Sequence, residues 1–147
     1  MTDRPLRVAL LWSGDRDARR SAGPGSTRFA GIFAALNAVG IEAEPAVYAD
    51  EMADEVREQI LRLDGVLVWV DPIVNGRNRS VLDALLRDVS ARGVWVSTHP
   101  DVTLKMGVKE VLHRAKHLGA LIPTSIATVV ASMRNFLSGC SRQGRVC

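Results

Sequence analysis

Cysteine is nearly absent from the sequence, and its two copies, Cys140 and Cys147, both lie close to the C-terminal end. There is no CxxC pair and no cysteine–histidine spacing of the kind that binds zinc, so we predict no metal site. Long apolar runs are missing too, and none approaches the roughly 20 residues that a membrane-spanning helix needs. The first apolar run is also too short for a signal peptide. We therefore expect a cytoplasmic protein that does not interact with membranes.

Acidic residues are absent after Gly119, where the remaining segment contains Arg134, Arg142 and Arg145. The residues up to Gly119 are balanced in charge, so this segment alone accounts for the formal net charge of +3. Nucleic-acid binding would require a basic face on the helices, and the predicted helices carry mixed charge instead. We therefore predict no nucleic-acid partner. We divide the chain into a folded domain, 1–119, and a divergent tail, 120–147. The tail is either an out-of-frame extension, which we favour, or an arm that packs on the sheet or on a partner.

Short apolar runs alternate with amphipathic segments along residues 1–119. The apolar runs predict strands at 6–12, 43–48, 65–70 and 94–97. The helical periods predict helices at 27–39, 51–63, 80–92 and 103–118, with caps at Ser26 or Thr27, Asp50 and Ser80, and with Gly40 and Gly93 as stops. Residues 13–26 are predicted to form a loop. This alternation predicts an α/β fold, a Rossmann-like three-layer sandwich with a four-stranded, mostly parallel sheet.

Candidate binding residues follow the predicted strands, because ligands of open α/β sheets bind beyond the carboxyl ends of the strands. Ser13 and Gly14 follow the first strand, and Ser26 ends the same loop. Asp71 follows the third strand and His99 follows the fourth. Each has a second interpretation: the loop as a plain surface connection, Asp71 as a turn residue before proline, and His99 as a structural group.

Catalytic residues stay unassigned. The Gly-rich loop fits neither GxGxxG nor GxxxxGK[ST], and no serine triad or pair of carboxylates has a useful spacing. Lys105 and Lys109 lie four residues apart and therefore share one face of a predicted helix. Lysine near a helix N-terminus is unfavourable with the helix dipole, so either an anionic ligand compensates it or acidic neighbours do.

The residues from Ser97 to Gly119, with Lys105-x3-Lys109, resemble the entry into the ATP-grasp domain of carboxylate–amine ligases. A closer resemblance is to an uncharacterised bacterial group of ATP-grasp-like proteins. It covers about residues 6–119, and the segment KMGVKEVL is its most specific part. The matching positions are Trp69–Ile73, Gly76, Arg79, Leu82–Arg87, Gly93–Asp101 and Lys105–Leu112.

This resemblance implies the N-terminal, pre-ATP-grasp domain of a ligase-like protein, truncated before its nucleotide-binding core. In the family, ATP and magnesium serve the ligation of a small-molecule substrate. The resemblance implies contacts of Lys105 and Lys109 with ATP, and a substrate beside the loop from Ser13 to Thr27. The family's later ATP and magnesium residues have no counterpart here. We therefore expect neither tight ATP binding nor catalysis by the chain alone, and a severed domain is expected to self-associate into a homo-oligomer.

An alternative function belongs to the binding class. The same strand and helix order suits a free-standing flavodoxin- or receiver-like module that binds a small anion or a partner protein. The acidic pair that a receiver has after its first strand is represented only by Asp15 and Asp17, in an arginine-rich segment. A scaffold whose tail forms an interface is a third interpretation.

Overall fold

The computed structural model describes residues 4–71, 73–74, 76–102 and 133–135. Its elements follow one another in the order β1 (Leu6–Ser13), α1 (Arg16–Ser21), α2 (Ala30–Ala38), β2 (Ile41–Tyr48), α3 (Ala53–Ile60), β3 (Gly65–Trp69), β4 (Ile73–Val74), β5 (Arg77–Asn78), α4 (Ser80–Ala91) and β6 (Trp95–Val96). A short 3-10 turn, Asp50–Met52, precedes α3. The predicted helix at 103–118 lies outside the described residues.

Four of the strands form one sheet in the order β2-β1-β3-β6, and all neighbouring pairs are parallel. The register places Ser13 of β1 beside Tyr48 of β2, and Trp12 of β1 beside Trp69 of β3. The three long strands therefore end at the same edge of the sheet. Together with the helices on both faces, this arrangement confirms the predicted Rossmann-like α/β sandwich and its four-stranded sheet.

Alternate residues of β1 point to opposite faces of the sheet, as the strand period of two requires. Val8 and Leu10 pack with Phe33 and Leu36 of α2 on one face. On the other face, Ala9 and Leu11 belong to a cluster with the apolar stripes of α3 and α4, which are Val56, Ile60, Leu82, Leu85, Leu86 and Val89. β1 is thus buried on both faces, which explains its continuous apolar run.

Helices α2 and α4 both end just before the glycines that the sequence analysis predicts as stops. Gly40 follows α2 with a φ of 77°, and Gly93 follows α4 with a φ of 92°. Backbone in this left-handed region is accessible to glycine at little cost, so both helices end where the sequence predicts.

Several local predictions were wrong. Within the predicted loop 13–26, the structure has α1, which begins where the Asp15 carboxylate accepts the backbone N–H of Ala18 at 2.7 Å. α2 begins at Ala30 and not at residue 27, and the Ser26 hydroxyl instead accepts the N–H of Gly23. Asp50 does not cap α3 with its side chain, since its carboxylate accepts the Tyr48 hydroxyl. Ser80 does not cap α4, because it is the first residue of that helix, Arg79 occupies the N-cap position and no side chain caps it. After β3, where the sequence predicts no strand, β4 and β5 pair as an antiparallel hairpin.

The tail contributes one described segment, Met133–Asn135, which is helical. Met133 is 1% exposed and packs with Val8, Leu10 and Leu67 on the α2 face of the sheet. A Cβ built on Gly65 would lie 2.8 Å from the Met133 Cε. The packing of Met133 on the sheet is what we expect if the tail is an arm of the domain. The domain boundary at residue 119 stays a prediction.

Candidate functional site

The carboxyl ends of β1, β2 and β3 enclose a cleft of about 510 Å³. Gly14 lies on one side of the cleft. Its backbone N–H donates to the carbonyl of Tyr48 at 3.0 Å, which holds the ends of β1 and β2 together. The residues that line the cleft are Ser13, Gly14, Tyr48, Ala49, Asp50, Glu51, Val70, Asp71, Asn78 and Arg79. Its volume lies within the range that small-molecule sites commonly have, and its position is where open α/β sheets bind ligands.

Gly14 is required by close packing at the end of β1. A Cβ at this position would lie 2.6 Å from Cγ1 of Val47 and 3.1 Å from Cβ of Ala18. The first distance is shorter than carbon atoms tolerate, and Val47 is buried and cannot move aside freely. The missing side chain therefore lets the chain turn from β1 directly into α1 at the rim of the cleft.

Tyr48 orients Asp50 at the cleft. The tyrosine is 5% exposed, and its hydroxyl donates to Oδ1 of Asp50 at 2.7 Å. Burial raises the pKa of Tyr48 above its ordinary value, and the hydrogen bond to the Asp50 carboxylate raises it further. The phenol therefore remains a protonated donor at neutral pH, and one carboxylate oxygen of Asp50 has a fixed position.

Arg79 connects the end of β3 to the start of α4. It is 8% exposed, its Nε lies 2.9 Å from Oδ1 of Asp83, and its Nη1 donates to the carbonyl of Val70 at 2.8 Å. Asp83 is buried as well, so each charge has the other as its partner. A buried guanidinium with such partners has a restricted orientation, which gives the cleft one rigid polar wall.

The cleft is negatively charged overall. Asp50, Glu51 and Asp71 contribute carboxylates, whereas the single cation of the lining, Arg79, is already paired with Asp83. Within the described part of the chain, no group of three or more acidic, histidine or cysteine residues is arranged to hold a metal ion. The carboxylates therefore suit a cationic organic group better than an anion.

Three of the predicted site residues come together. Ser13 and Gly14 from the end of β1 and Asp71 from the segment after β3 line the same cleft.

The other predicted site residues do not line this cleft or lie outside the described residues. Ser26 lies elsewhere, in an exposed turn that its own hydroxyl closes by accepting the N–H of Gly23 at 3.0 Å. His99 is not among the lining residues, and its Nδ1 accepts the backbone N–H of Asp101 at 3.3 Å. Lys105 and Lys109 lie outside the described residues, so their contact with ATP stays a prediction.

The cleft also contains residues that the sequence prediction did not assign to a site. Tyr48, Asp50 and Glu51 follow or end β2, so their position at a strand's carboxyl end was an available signal. Asn78 and Arg79 lie in the segment after β3, where the hairpin that brings them to the cleft is not indicated by any hydrophobic period.

A second concavity of about 340 Å³ lies away from the strand ends. Charged side chains of both signs line it, and they are largely paired with one another: Arg7 with Glu44, and Arg19 with Glu55. Its lining is Arg7, Arg19, Glu44, Glu55, Glu58, Gln59, Arg62 and Leu63. Mutual pairing leaves this groove little net charge with which to select a ligand.

Comparison of the chain with protein-family models, with curated proteins and with solved structures finds no match. Among the described residues, no helix has the length and apolar character that crossing a membrane would take.

Proposed function

We propose that this chain is the substrate-binding N-terminal domain of an ATP-grasp-type, ligase-like protein. The observation that carries the proposal is the meeting of Ser13, Gly14 and Asp71 in one cleft at the carboxyl ends of β1 and β3. The family resemblance leads us to expect a substrate beside the loop that begins at Ser13. The small-molecule substrate occupies this cleft, and we place the protein in the cytoplasm.

The chain alone binds and does not catalyse. Transfer of a phosphoryl group requires magnesium and several cationic contacts around the γ-phosphate. The cleft offers Asp50, Glu51 and Asp71, which repel a triphosphate, and its one guanidinium is paired with Asp83. The cleft therefore does not fit ATP with magnesium, and the nucleotide belongs to a part of the family protein beyond this domain, with Lys105 and Lys109 as its expected contacts at the boundary.

The reading frame tests this proposal. If the tail is out of frame, one of the other two frames beyond the codon of Gly119 encodes lysine- and glutamate-rich strands of an ATP-grasp core. The protein translated in that frame is expected to hydrolyse ATP with magnesium, whereas the chain described here is not. Magnesium-dependent turnover by this chain, or two frames that encode no such core, would contradict the proposal.

The free-standing binding module remains the second candidate, in its partner-protein form. Trp69 is 52% exposed and Ile73 is 69% exposed, and they lie on either side of Asp71 in the sequence. Exposed large apolar side chains near a strand end are typical of contact surfaces. The same surface suits self-association into a homo-oligomer. A weight-average mass that rises with protein concentration would reveal it, and Trp69→Ser is expected to abolish the rise. The negative charge of the cleft disfavours the small-anion form of this candidate.

A further inference from the structure

An exposed apolar surface adjoins the mouth of the cleft. It consists of Trp69, Asp71 and Ile73, and we call it the Trp69 surface. Trp69 is 52% exposed, Ile73 is 69% exposed, and Asp71 also lines the cleft. The Trp69 ring rests against Phe29, with 5.7 Å between the ring centroids. Since Phe29 belongs to the buried cluster on the α2 face of the sheet, the Trp69 surface is continuous with that cluster.

Negative charge lies beside the Trp69 surface. Asp50 and Glu51 are exposed and line the same cleft as Asp71. Arg79, the cation of that lining, is paired with the buried Asp83. Exposed apolar side chains next to unbalanced carboxylates are complementary to a segment that is both apolar and basic.

The tail meets the sheet on this same face. Met133 is 1% exposed and packs with Leu67, which precedes Trp69 by two residues and therefore points to the same face of β3. Met133 also lies against Gly65, because a Cβ added there would be 2.8 Å from its Cε. From Gly65 to Trp69 the strand rises by about 13 Å. About four extended residues after the described helical segment would span that distance.

Residues 136–147, which lie outside the described residues, have the composition that the Trp69 surface requires. Their sequence, FLSGCSRQGRVC, begins with the apolar pair Phe136 and Leu137. Arg142 and Arg145 follow, and the segment contains no acidic residue. The apolar pair comes first along the path from Met133, and the arginines come where the path would reach the carboxylates.

We propose that residues 136–147 dock on the Trp69 surface of their own domain, with the arginines at Asp71. The docked tail covers the mouth of the cleft and competes with a cationic ligand for its carboxylates. Because the tail is tethered at Met133, its effective concentration at this surface is high, and modest contacts suffice. The inference goes beyond the proposed function, and it depends on the residues of the tail as they stand, whichever reading frame encodes them.

A nitroxide at Cys147 tests the docking in the isotope-labelled full chain, with Cys140→Ser to leave a single thiol. An oxidised nitroxide broadens the amide signals of residues near it, and the reduced form does not. We expect a loss of signal intensity at Asp50, Trp69 and Asp71 when the label is oxidised. Amides next to Gly40 and Gly93, at the edge of the sheet where β2 and β6 begin, should keep their intensity.

Charge reversal separates docking from simple tethering. Arg142→Glu combined with Arg145→Glu should abolish the loss of intensity, because like charges would then meet at Asp71. Arg62→Glu combined with Arg92→Glu is the matched control. It changes the net charge by the same amount at two exposed arginines that precede β3 and β6, and it should leave the loss unchanged.

Three results would overturn the inference. One is an equal loss of intensity in the charge-reversed tail, which tethering at Met133 alone would explain. Another is no loss in the parent chain, which would leave the Trp69 surface to a partner protein. The third is an equal loss in a mixture of isotope-labelled chain without nitroxide and unlabelled chain with it, which would assign the surface to the tail of a second copy. The proposed function fails on ATP turnover and on the frame analysis, so the two failures are distinguishable.

Discussion

Arg79 and Asp83 form a buried ion pair across the first turn of α4, with 2.9 Å between Nε and Oδ1. The pair also reaches the residue that follows β3, since Arg79 donates to the Val70 carbonyl. It therefore links the edge of the sheet, where the cleft opens, to the helix that supports it. The stability of the domain and the shape of the cleft depend on the same two side chains.

Substitution Asp83→Asn should destabilise the fold by about 3–5 kcal/mol, because it leaves the buried charge of Arg79 uncompensated. The measurement is the free energy of unfolding in urea. Asp17→Asn is the control, since the Asp17–Arg20 pair lies on the exposed surface and such pairs contribute little. Similar small changes for both variants would show that Arg79 is not buried as described.

Tyr48 should resist ionisation at alkaline pH. It is the only tyrosine of the sequence, so near-ultraviolet absorbance of tyrosinate reports it alone. Burial, and then the hydrogen bond to Asp50, raise its pKa in the fold above the ordinary value of 10.0. The stabilisation is therefore fully present below about pH 10, and it is lost as the pH rises toward the folded-state pKa.

The absorbance of the folded protein should begin to rise at a higher pH than that of the urea-unfolded chain. In Asp50→Asn the folded-state pKa should be lower than in the wild type but still above its ordinary value, because burial remains. Coincident titrations of folded and unfolded protein would refute the Tyr48–Asp50 contact.

Met133 tests whether the tail belongs to the fold. Met133→Ala should cost about 2–5 kcal/mol of unfolding free energy, because it removes a buried side chain from the cluster around Leu10 and Leu67. Arg134→Ala is the control, since Arg134 is exposed on the neighbouring position. A Met133 variant as stable as the control would favour a tail that contributes nothing to the domain.

Gly14 should not tolerate a side chain. Gly14→Ala is expected to cost about 1–3 kcal/mol, the usual range for overpacking, because its Cβ would lie 2.6 Å from Val47. Gly25→Ala is a matched control in the loop after α1, where an added Cβ meets nothing within 4 Å. Urea unfolding of both variants measures the difference, and an equal effect would exclude the close approach at the end of β1.

The sheet could be predicted because its evidence is local. β1 has a continuous apolar run, and α4 repeats buried leucines at the helical period. α1 could not be predicted from hydrophobicity, because none of its residues is buried. It is supported by the Asp15 cap and by the ion pair of Arg16 with Glu55 at 2.9 Å, a partner far away in the sequence.

The cleft was predictable in part for the same reason. Ser13, Gly14 and Asp71 follow strong strands, and the parallel sheet brings such positions to one edge. The role of Asp50 depends on the Tyr48 hydroxyl, and that of Arg79 depends on Val70 and Asp83, so each requires packing between elements. A sequence pattern contains no direct sign of these contacts.

The central claim is that the cleft at the carboxyl ends of β1, β2 and β3 is the ligand site, and mapping of backbone amide chemical shifts tests it most directly. The isotope-labelled full chain is titrated with small organic cations, the class of ligand that the carboxylates of the cleft suit. The predicted perturbations cluster at Gly14, at Asp50 and Glu51, and at Asp71 and Arg79. Perturbations centred on the second groove, at Arg19, Glu55 and Arg62, would contradict the claim.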